Sequence, residues 1–168
     1  MQSHLPVREQ VTAEGHSVRA LYLYSGMADL ALETKEEKLT EICRTLFENI
    51  TEKRMYITGG VGSTCRGESF TFDYDFPEYT AYNETCASIA LALFCRRLWL
   101  IEADGRYADT AERALYNTVL SGISLSGDSF FYENPLAVDP RRNAFNDSRP
   151  EGLKEHLPIL ERVKVFGC

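Results

Sequence analysis

The sequence predicts a mainly α-helical protein, built from helical hairpins in series that are joined by long loops. Two observations indicate this fold class. Apolar residues recur at helical spacing in four separate stretches, and the segment between the second and third stretches is too long and too aromatic to be a simple linker. The chain has 168 residues, 44% of them hydrophobic, which is enough for one domain with a buried core.

The first two predicted helices form a hairpin. Residues 16–33 carry apolar groups with a helical rhythm. Thr34 and Glu37 fit a capping box, which predicts that a second helix begins there and runs through "EEKLTEICRTLFENI". The apolar stripe of this second helix consists of Leu39, Ile42, Cys43, Leu46, Phe47 and Ile50.

The stretch "MYITGGVGSTCRGESFTFDYDFPEYT" interrupts the helical pattern with glycines, a proline and many aromatic residues. A loop of this length inside a compact domain usually serves a function. Its "YITGGVG" part is glycine-rich but lacks the Lys-Ser/Thr ending of a phosphate-binding loop. Nucleotide binding is therefore not favoured.

A third helix is predicted from about residue 81 to residue 102, and it is apolar on nearly every side, which indicates packing on every face. Asp104 and Gly105 end it, and an amphipathic fourth helix covers residues 107–124. A turn at residues 126–128 then leads into a short β excursion near 129–136. Residues 137–158 are polar and predicted to be a loop.

Charge and cysteine content restrict the partners. The net charge of -7 and a pI near 5.0 argue against nucleic acid and anionic membranes, because phosphate groups require a basic surface. No segment is long and apolar enough to span a bilayer, and "MQSHLPVREQ" does not resemble a signal peptide. Five cysteines at irregular spacing form a poor disulfide framework, so a reducing, cytoplasmic location is expected.

Glu84 and Cys86 stand at the entrance to the third helix. Residues two apart on a regular helix point in different directions, but at an irregular helix start both side chains can reach one ion. A carboxylate and a thiolate are both good zinc ligands. The alternative is a glutamate favoured by the helix dipole beside a small buried cysteine. Spacing alone does not decide between them.

Several loop residues are candidates for chemistry. Glu68 lies beside Phe70 and Phe72, and a carboxylic acid among aromatic groups can have a raised pKa that suits a general acid. The alternative is a solvated loop glutamate. His16, at the start of the first helix, is more typical of a structural residue. Asp73, with its neighbour Asp75, suits either sugar hydroxyls or a turn.

The remaining cysteines divide into two groups. Cys43 and Cys95 are predicted to lie in the core. Cys65, in the long loop, is left undecided.

Five stretches in one order together resemble glycoside hydrolase family 127, the β-L-arabinofuranosidases. They are "GHSVRALYLYSGMADLA", "YITGGVGSTCRGESFTFDYDFP", "YNETCAS", "YADTAERALYNTVLSGISLSGDSFFYENPL" and "RVKVFGC". The resemblance implies part of an (α/α)6 barrel and a retaining hydrolase acting on terminal β-L-arabinofuranosyl groups of an oligosaccharide or glycoconjugate. It also implies a zinc-bound cysteine nucleophile with a carboxylic acid as acid/base.

The resemblance assigns roles to five residues of this chain. Glu68, in the Gly-Glu-Ser-Phe motif, corresponds to the catalytic acid/base. Glu84 and Cys86 correspond to zinc ligands. His16 and Tyr132 correspond to residues that contact the sugar. Retaining hydrolysis needs a nucleophile and an acid on opposite sides of the bond, and zinc supplies the thiolate form of cysteine near neutral pH.

Comparison with the family pattern predicts that residues 1–168 are an incomplete catalytic domain. Part of the barrel would precede residue 1, and the nucleophile would follow Cys168. The isolated chain is therefore expected to be inactive, to bind zinc poorly, and to associate into oligomers through exposed apolar helix faces. Two other hypotheses remain: a sugar-binding relative without catalysis, and a helical interaction module without chemistry.

Overall fold

Four α-helices dominate the part of the chain that the computed structural model describes, residues 2–137 and 162–164. They are α1 (Ser17–Thr34), α2 (Glu37–Lys53), α3 (Thr85–Ile101) and α4 (Gly105–Ala114). A 3-10 turn at Val7–Glu9 precedes α1, and strand β1 (Ser129–Phe131) pairs antiparallel with β2 (Arg162–Lys164). The predicted mainly α chain with a short β excursion is confirmed. The loop predicted after residue 137 lies outside the described residues.

The capping box predicted at Thr34 is wrong. Thr34 is the last residue of α1, and its hydroxyl donates to the carbonyl of Leu30 at 2.8 Å. Lys35 then adopts a left-handed conformation, with φ of 56°, that ends α1. Glu36 precedes α2 and accepts two hydrogen bonds from Arg8, at 2.6 and 2.8 Å. The hydroxyl of Thr34 is thus satisfied within its own helix, which leaves it unavailable as a cap.

Helix α3 lies at the centre of the helical core and packs against α1, α4 and α2. Its Phe94 meets Tyr24 of α1 with a ring separation of 5.8 Å. Cys43 of α2 and Cys95 of α3 are fully buried, as predicted. The prediction of packing on every face holds for most of the helix but not its end, where Trp99 is 48% exposed. None of the helices formed by the described residues is both long and apolar enough to cross a membrane.

The fourth predicted helix changes character partway along. The α-helix ends at Ala114, and residues Leu115–Leu120 continue as a π-helical segment. The loop after α2 contacts this point, because Thr118 donates its hydroxyl to the carbonyl of Thr58 at 3.1 Å. Gly59 lies so close that an added Cβ would be 2.7 Å from the backbone nitrogen of Ala114. Periodicity within one helix could not predict this contact.

Replacing Gly59 with alanine should destabilise the protein by at least about 2 kcal/mol, because the residue has φ of +90° and no room for a Cβ. Gly26 is the matched control, since nothing lies within 4 Å of its added Cβ. Gly26→Ala in the exposed face of α1 should stabilise by about 0.5–1 kcal/mol. Urea unfolding of both variants measures the contrast, and equal stability of the two would contradict this packing.

A charged cluster joins α2 to the end of α3. Arg44 donates two hydrogen bonds to the carboxylate of Glu102, at 3.1 and 3.0 Å, and the buried Tyr107 donates its hydroxyl to the same carboxylate. The hydrogen bonds from Arg44 lower the pKa of Glu102 from its ordinary value of 4.5, against the effect of burial.

This lowered pKa makes part of the stability depend on pH. A carboxyl group whose pKa is lower in the folded state stabilises the fold above pH 4.5, and this contribution is lost as the pH falls through the folded value. The difference in melting temperature between the wild type and Glu102→Gln should therefore be largest at neutral pH and narrow below pH 4.5. Glu41→Gln, at an exposed position, is the control. A difference that stays constant with pH would refute the linkage.

Candidate functional site

His16 stands at the N-terminus of α1, beside the long loop between α2 and α3. The loop is fixed against this point by backbone hydrogen bonds. The amide of Ser17 donates to the carbonyl of Glu68 at 2.9 Å, and the amide of Phe70 donates to the carbonyl of Gly15 at 2.9 Å. The Ser17 hydroxyl also donates to the Glu68 carbonyl, at 3.1 Å. These bonds bring His16 and Glu68, distant in sequence, to neighbouring positions.

Both carboxylate oxygens of Glu68 have partners. Oε2 lies 2.7 Å from Nε2 of His16, and Oε1 accepts a hydrogen bond from the Tyr82 hydroxyl at 3.0 Å. The side chain is still 37% exposed, so it can reach a ligand. The predicted neighbour Phe72 is 72% exposed, and the aromatic group that binds the carboxylate is Tyr82. Glu68 is thus oriented from two sides.

Glu84 is the residue immediately before α3, and it is only 2% exposed. The Tyr132 hydroxyl donates a hydrogen bond to its Oε1. Oε2 is buried and has no hydrogen-bond partner within the described part of the chain. Burial raises the pKa of Glu84, and the hydrogen bond from Tyr132 opposes this rise. A buried carboxylate oxygen without a partner is unfavourable unless a proton or a cation satisfies it.

Tyr132 reaches Glu84 because the chain around β1 docks on the start of α3. The amide of Thr85 donates to the carbonyl of Tyr132 at 3.0 Å, and Asn134 donates its side-chain amide to the carbonyl of Asn83 at 2.9 Å. Burial and then the hydrogen bond to Glu84 raise the pKa of Tyr132, so its hydroxyl remains a donor at neutral pH.

The three side chains His16, Glu68 and Glu84 offer metal-ligand atoms that lie within 4.8 Å of one another. Glu84 is buried and its Oε2 has no partner among the described residues, which fits a bound cation such as zinc. Glu68 fits one less well, because both of its oxygens are already hydrogen-bonded. The two glutamates therefore suit different tasks.

Cys86 lies in the first turn of α3 and is buried. The thiolate is the form of cysteine that binds metals, so Cys86 would serve as a zinc ligand in its deprotonated form. Its assignment as a ligand stays a prediction.

A cavity of about 610 Å³ opens in front of the His16–Glu68 pair. It is lined by Gly15, His16, Arg19, Cys65, Gly67, Glu68 and Ser69. This volume lies in the range of small-molecule sites. Cys65, undecided from sequence, is therefore part of the cavity wall. Asp73 is not among the lining residues, and its carboxylate accepts a hydrogen bond from Arg54 at 2.9 Å.

The structure therefore gathers four of the five predicted site residues, namely His16, Glu68, Glu84 and Tyr132, around one centre. Tyr82 was missed by the sequence analysis. It lies in "YNETC", two positions from Glu84, and its ring is 6.2 Å from that of Tyr132. Only the fold shows that its hydroxyl binds Glu68.

Comparison with known proteins identifies relatives of the whole chain. Residues 1–156 match the profile of the β-L-arabinofuranosidase GH127 catalytic domain. A non-reducing end β-L-arabinofuranosidase of Bifidobacterium longum subsp. longum is 41% identical over 170 aligned residues, which cover 99% of this chain and 24% of the relative.

Solved structures show the same similarity. A GH127 β-L-arabinofuranosidase from Geobacillus stearothermophilus T6 is 57% identical, with a TM-score of 0.85 over 87% of this chain and 23% of that one. A GH127 β-arabinofuranosidase is 47% identical, with a TM-score of 0.80 over 82% of this chain and 22% of that one. The chain thus spans about a quarter of the length of these relatives. The expectation that the helices form part of an α/α barrel is consistent with this match.

Proposed function

The chain belongs to glycoside hydrolase family 127, and from this premise we propose that it supplies the acid/base half of a retaining β-L-arabinofuranosidase active site. The proposed substrate class is an oligosaccharide or glycoconjugate with a terminal β-L-arabinofuranosyl group, as in the name of the Bifidobacterium longum relative. The observation that supports this most directly is the contrast between two neighbouring glutamates. Glu68 lines a cavity, and both of its oxygens are hydrogen-bonded. Glu84 is buried, and one of its oxygens has no partner in the described part of the chain.

Glu68 is proposed as the general acid and base. Its carboxyl group would protonate the glycosidic oxygen as the bond to the leaving group breaks, and its carboxylate would later remove a proton from the attacking water. Tyr82 keeps one oxygen in place, and His16 Nε2 can share a proton with the other. The carboxyl group thereby faces the cavity in a fixed orientation.

Glu84 and Cys86 are proposed to hold a zinc ion. Zinc, when bound, keeps a cysteine sulfur in its thiolate form near neutral pH. Tyr132 orients Glu84 by donating to Oε1, which leaves Oε2 available for the metal. Such partners of metal ligands commonly contribute tenfold to a hundredfold in affinity. The nucleophile itself is not assigned to a described residue.

The test is hydrolysis of 4-nitrophenyl β-L-arabinofuranoside by the full-length protein that carries this chain, in the presence of zinc and a reductant. The expected result is release of nitrophenol, with the first-formed arabinose retaining the β configuration by NMR. Inverted product would refute the retaining mechanism. Binding of arabinose without any hydrolysis would favour a sugar-binding relative instead.

A further inference from the structure

Arg54, immediately after α2, is a buried arginine outside the cavity. Its side chain is 6% exposed. One of its terminal nitrogens, Nη1, donates to the carbonyl of Ala13 at 2.6 Å and to the carbonyl of Thr71 at 2.7 Å. Nε donates to the carboxylate of Asp73 at 2.9 Å. The guanidinium group therefore joins two chain segments that are far apart in sequence.

These two segments are the ones that carry His16 and Glu68. Ala13 lies shortly before His16, and Thr71 lies shortly after Glu68. Between those ends the segments run antiparallel, with a bridge between His16 and Ser69 and a hydrogen bond from the Phe70 amide to the Gly15 carbonyl at 2.9 Å. Arg54 binds one end of this paired unit, at the carbonyls of Ala13 and Thr71.

Neighbouring polar groups hold Arg54 in this position. Asn49 accepts a hydrogen bond from the Ala13 amide at 2.9 Å and donates to Asp73 at 3.3 Å. Lys53 lies 3.4 Å from Asp73, and Glu14 lies 3.9 Å from Arg54. Burial acts to raise the pKa of Asp73, but hydrogen bonds from Arg54, Lys53 and Asn49 lower it overall, so the carboxylate balances the buried positive charge.

We propose that Arg54 is a positioning residue, which sets the separation of His16 and Glu68 by binding the backbone carbonyls of Ala13 and Thr71. This inference rests on the proposed role of Glu68 as the acid. Arginine suits the task because its planar donors can bind two carbonyls and a carboxylate at the same time. Lysine at this position would keep the positive charge, but it lacks the fixed geometry that joins both carbonyls.

A misplaced acid has a specific kinetic consequence. Proton donation matters most when the leaving group is a poor one, such as a sugar alkoxide, and matters little for an activated phenol. A displacement of about 1 Å can reduce the rate by about 10²-fold. A purely structural role for Arg54 would instead reduce the rate for both kinds of substrate to the same extent, because it would lower the amount of folded enzyme.

The experiment compares Arg54→Lys with the wild type of the full-length protein on two β-L-arabinofuranosides. One carries a sugar leaving group and the other carries dinitrophenol. We expect kcat/KM on the first to fall about 10²-fold and kcat/KM on the second to fall less than about fivefold, because kcat/KM reports cleavage of the glycosidic bond, in which only the sugar leaving group needs the acid. Equal losses on both substrates would overturn the inference while leaving the proposed function intact.

Arg44→Lys is the matched control, because Arg44 lies on α2, the helix that ends just before Arg54, and also binds a carboxylate, that of Glu102, at 3.0 Å. It should lower the melting temperature without changing the ratio of the two rates. If Arg54→Lys does not fold, the double variant Arg54→Gln, Asp73→Asn removes both charges together. The same difference between the two substrates is then expected for the double variant.

A crystal structure of the Arg54 variant gives a readout that does not require activity. The separation of His16 Nε2 and Glu68 Oε2 is 2.7 Å here and should exceed hydrogen-bonding distance, about 3.5 Å, in the variant. An unchanged separation would overturn the inference. If the wild type hydrolyses neither substrate, the proposed function fails, and this separation still decides the role of Arg54.

Discussion

Replacing Glu68 with glutamine in the full-length protein should lower kcat on an arabinofuranosyl disaccharide by about 10²–10⁴-fold, the usual contribution of a general acid. Glutamine has nearly the same shape and can still contact His16 and Tyr82, which bind the two oxygens at 2.7 and 3.0 Å. It cannot donate a proton to the glycosidic oxygen. Steady-state kinetics measure the loss, and KM should change little.

The control for this variant is Glu78→Gln, at an exposed position of the same loop. It removes the same charge without touching the pair, so activity should remain within about twofold of the wild type. Retention of most activity by Glu68→Gln, with the control behaving as expected, would show that another group supplies the proton.

Replacing Glu84 with glutamine should reduce the zinc affinity of the full-length protein by more than about 10²-fold, because it removes a charged ligand whose Oε2 has no other partner among the described residues. Tyr132→Phe leaves the ligand in place and removes only its hydrogen-bond donor. This variant should lose about 10–100-fold in affinity. Zinc competition with a chelator measures both.

The zinc measurement is made with a reductant present, because the thiolate of Cys86 is the form that binds zinc. Glu112→Gln, on the exposed side of α4, is the charge-matched control and should bind zinc as the wild type does. Unchanged zinc affinity in Glu84→Gln under reducing conditions would exclude this glutamate as a ligand.

The helices could be predicted from the sequence because their apolar residues repeat with the helical period and pack inward. Leu39, Leu46 and Ile50 of the predicted stripe in α2 are indeed fully buried. One error is local, because the Thr34 hydroxyl donates to the carbonyl of Leu30 in its own helix instead of capping α2. Another departure lies where a distant contact meets the helix. The carbonyl of Thr58 binds Thr118 across 60 positions of sequence, at the place where α4 changes to a π-helical segment.

The candidate site, too, could be predicted from the sequence only in part. Spacing alone left Glu68 and Glu84 ambiguous, and only the family resemblance gave them roles. Their difference in environment depends on contacts from distant segments. Tyr132 reaches Glu84 over 48 positions of sequence, and His16, just before α1, reaches Glu68 in the long loop after α2. Arg54 drew no attention in the sequence because a single arginine at a helix end carries no motif. Only the fold shows that Arg54 donates hydrogen bonds to the backbone carbonyls of Ala13 and Thr71.

The central claim is the division of labour between the two glutamates, with Glu68 as acid and Glu84 as metal ligand. Anomalous diffraction at the zinc edge tests it most directly, using a crystal of the reduced full-length protein grown with zinc and L-arabinose. The account predicts an anomalous peak bonded to Glu84 Oε2 and Cys86 Sγ, with Glu68 free of metal and hydrogen-bonded to the anomeric hydroxyl of the sugar. A peak bonded to His16 and Glu68, with Glu84 unliganded, would contradict it.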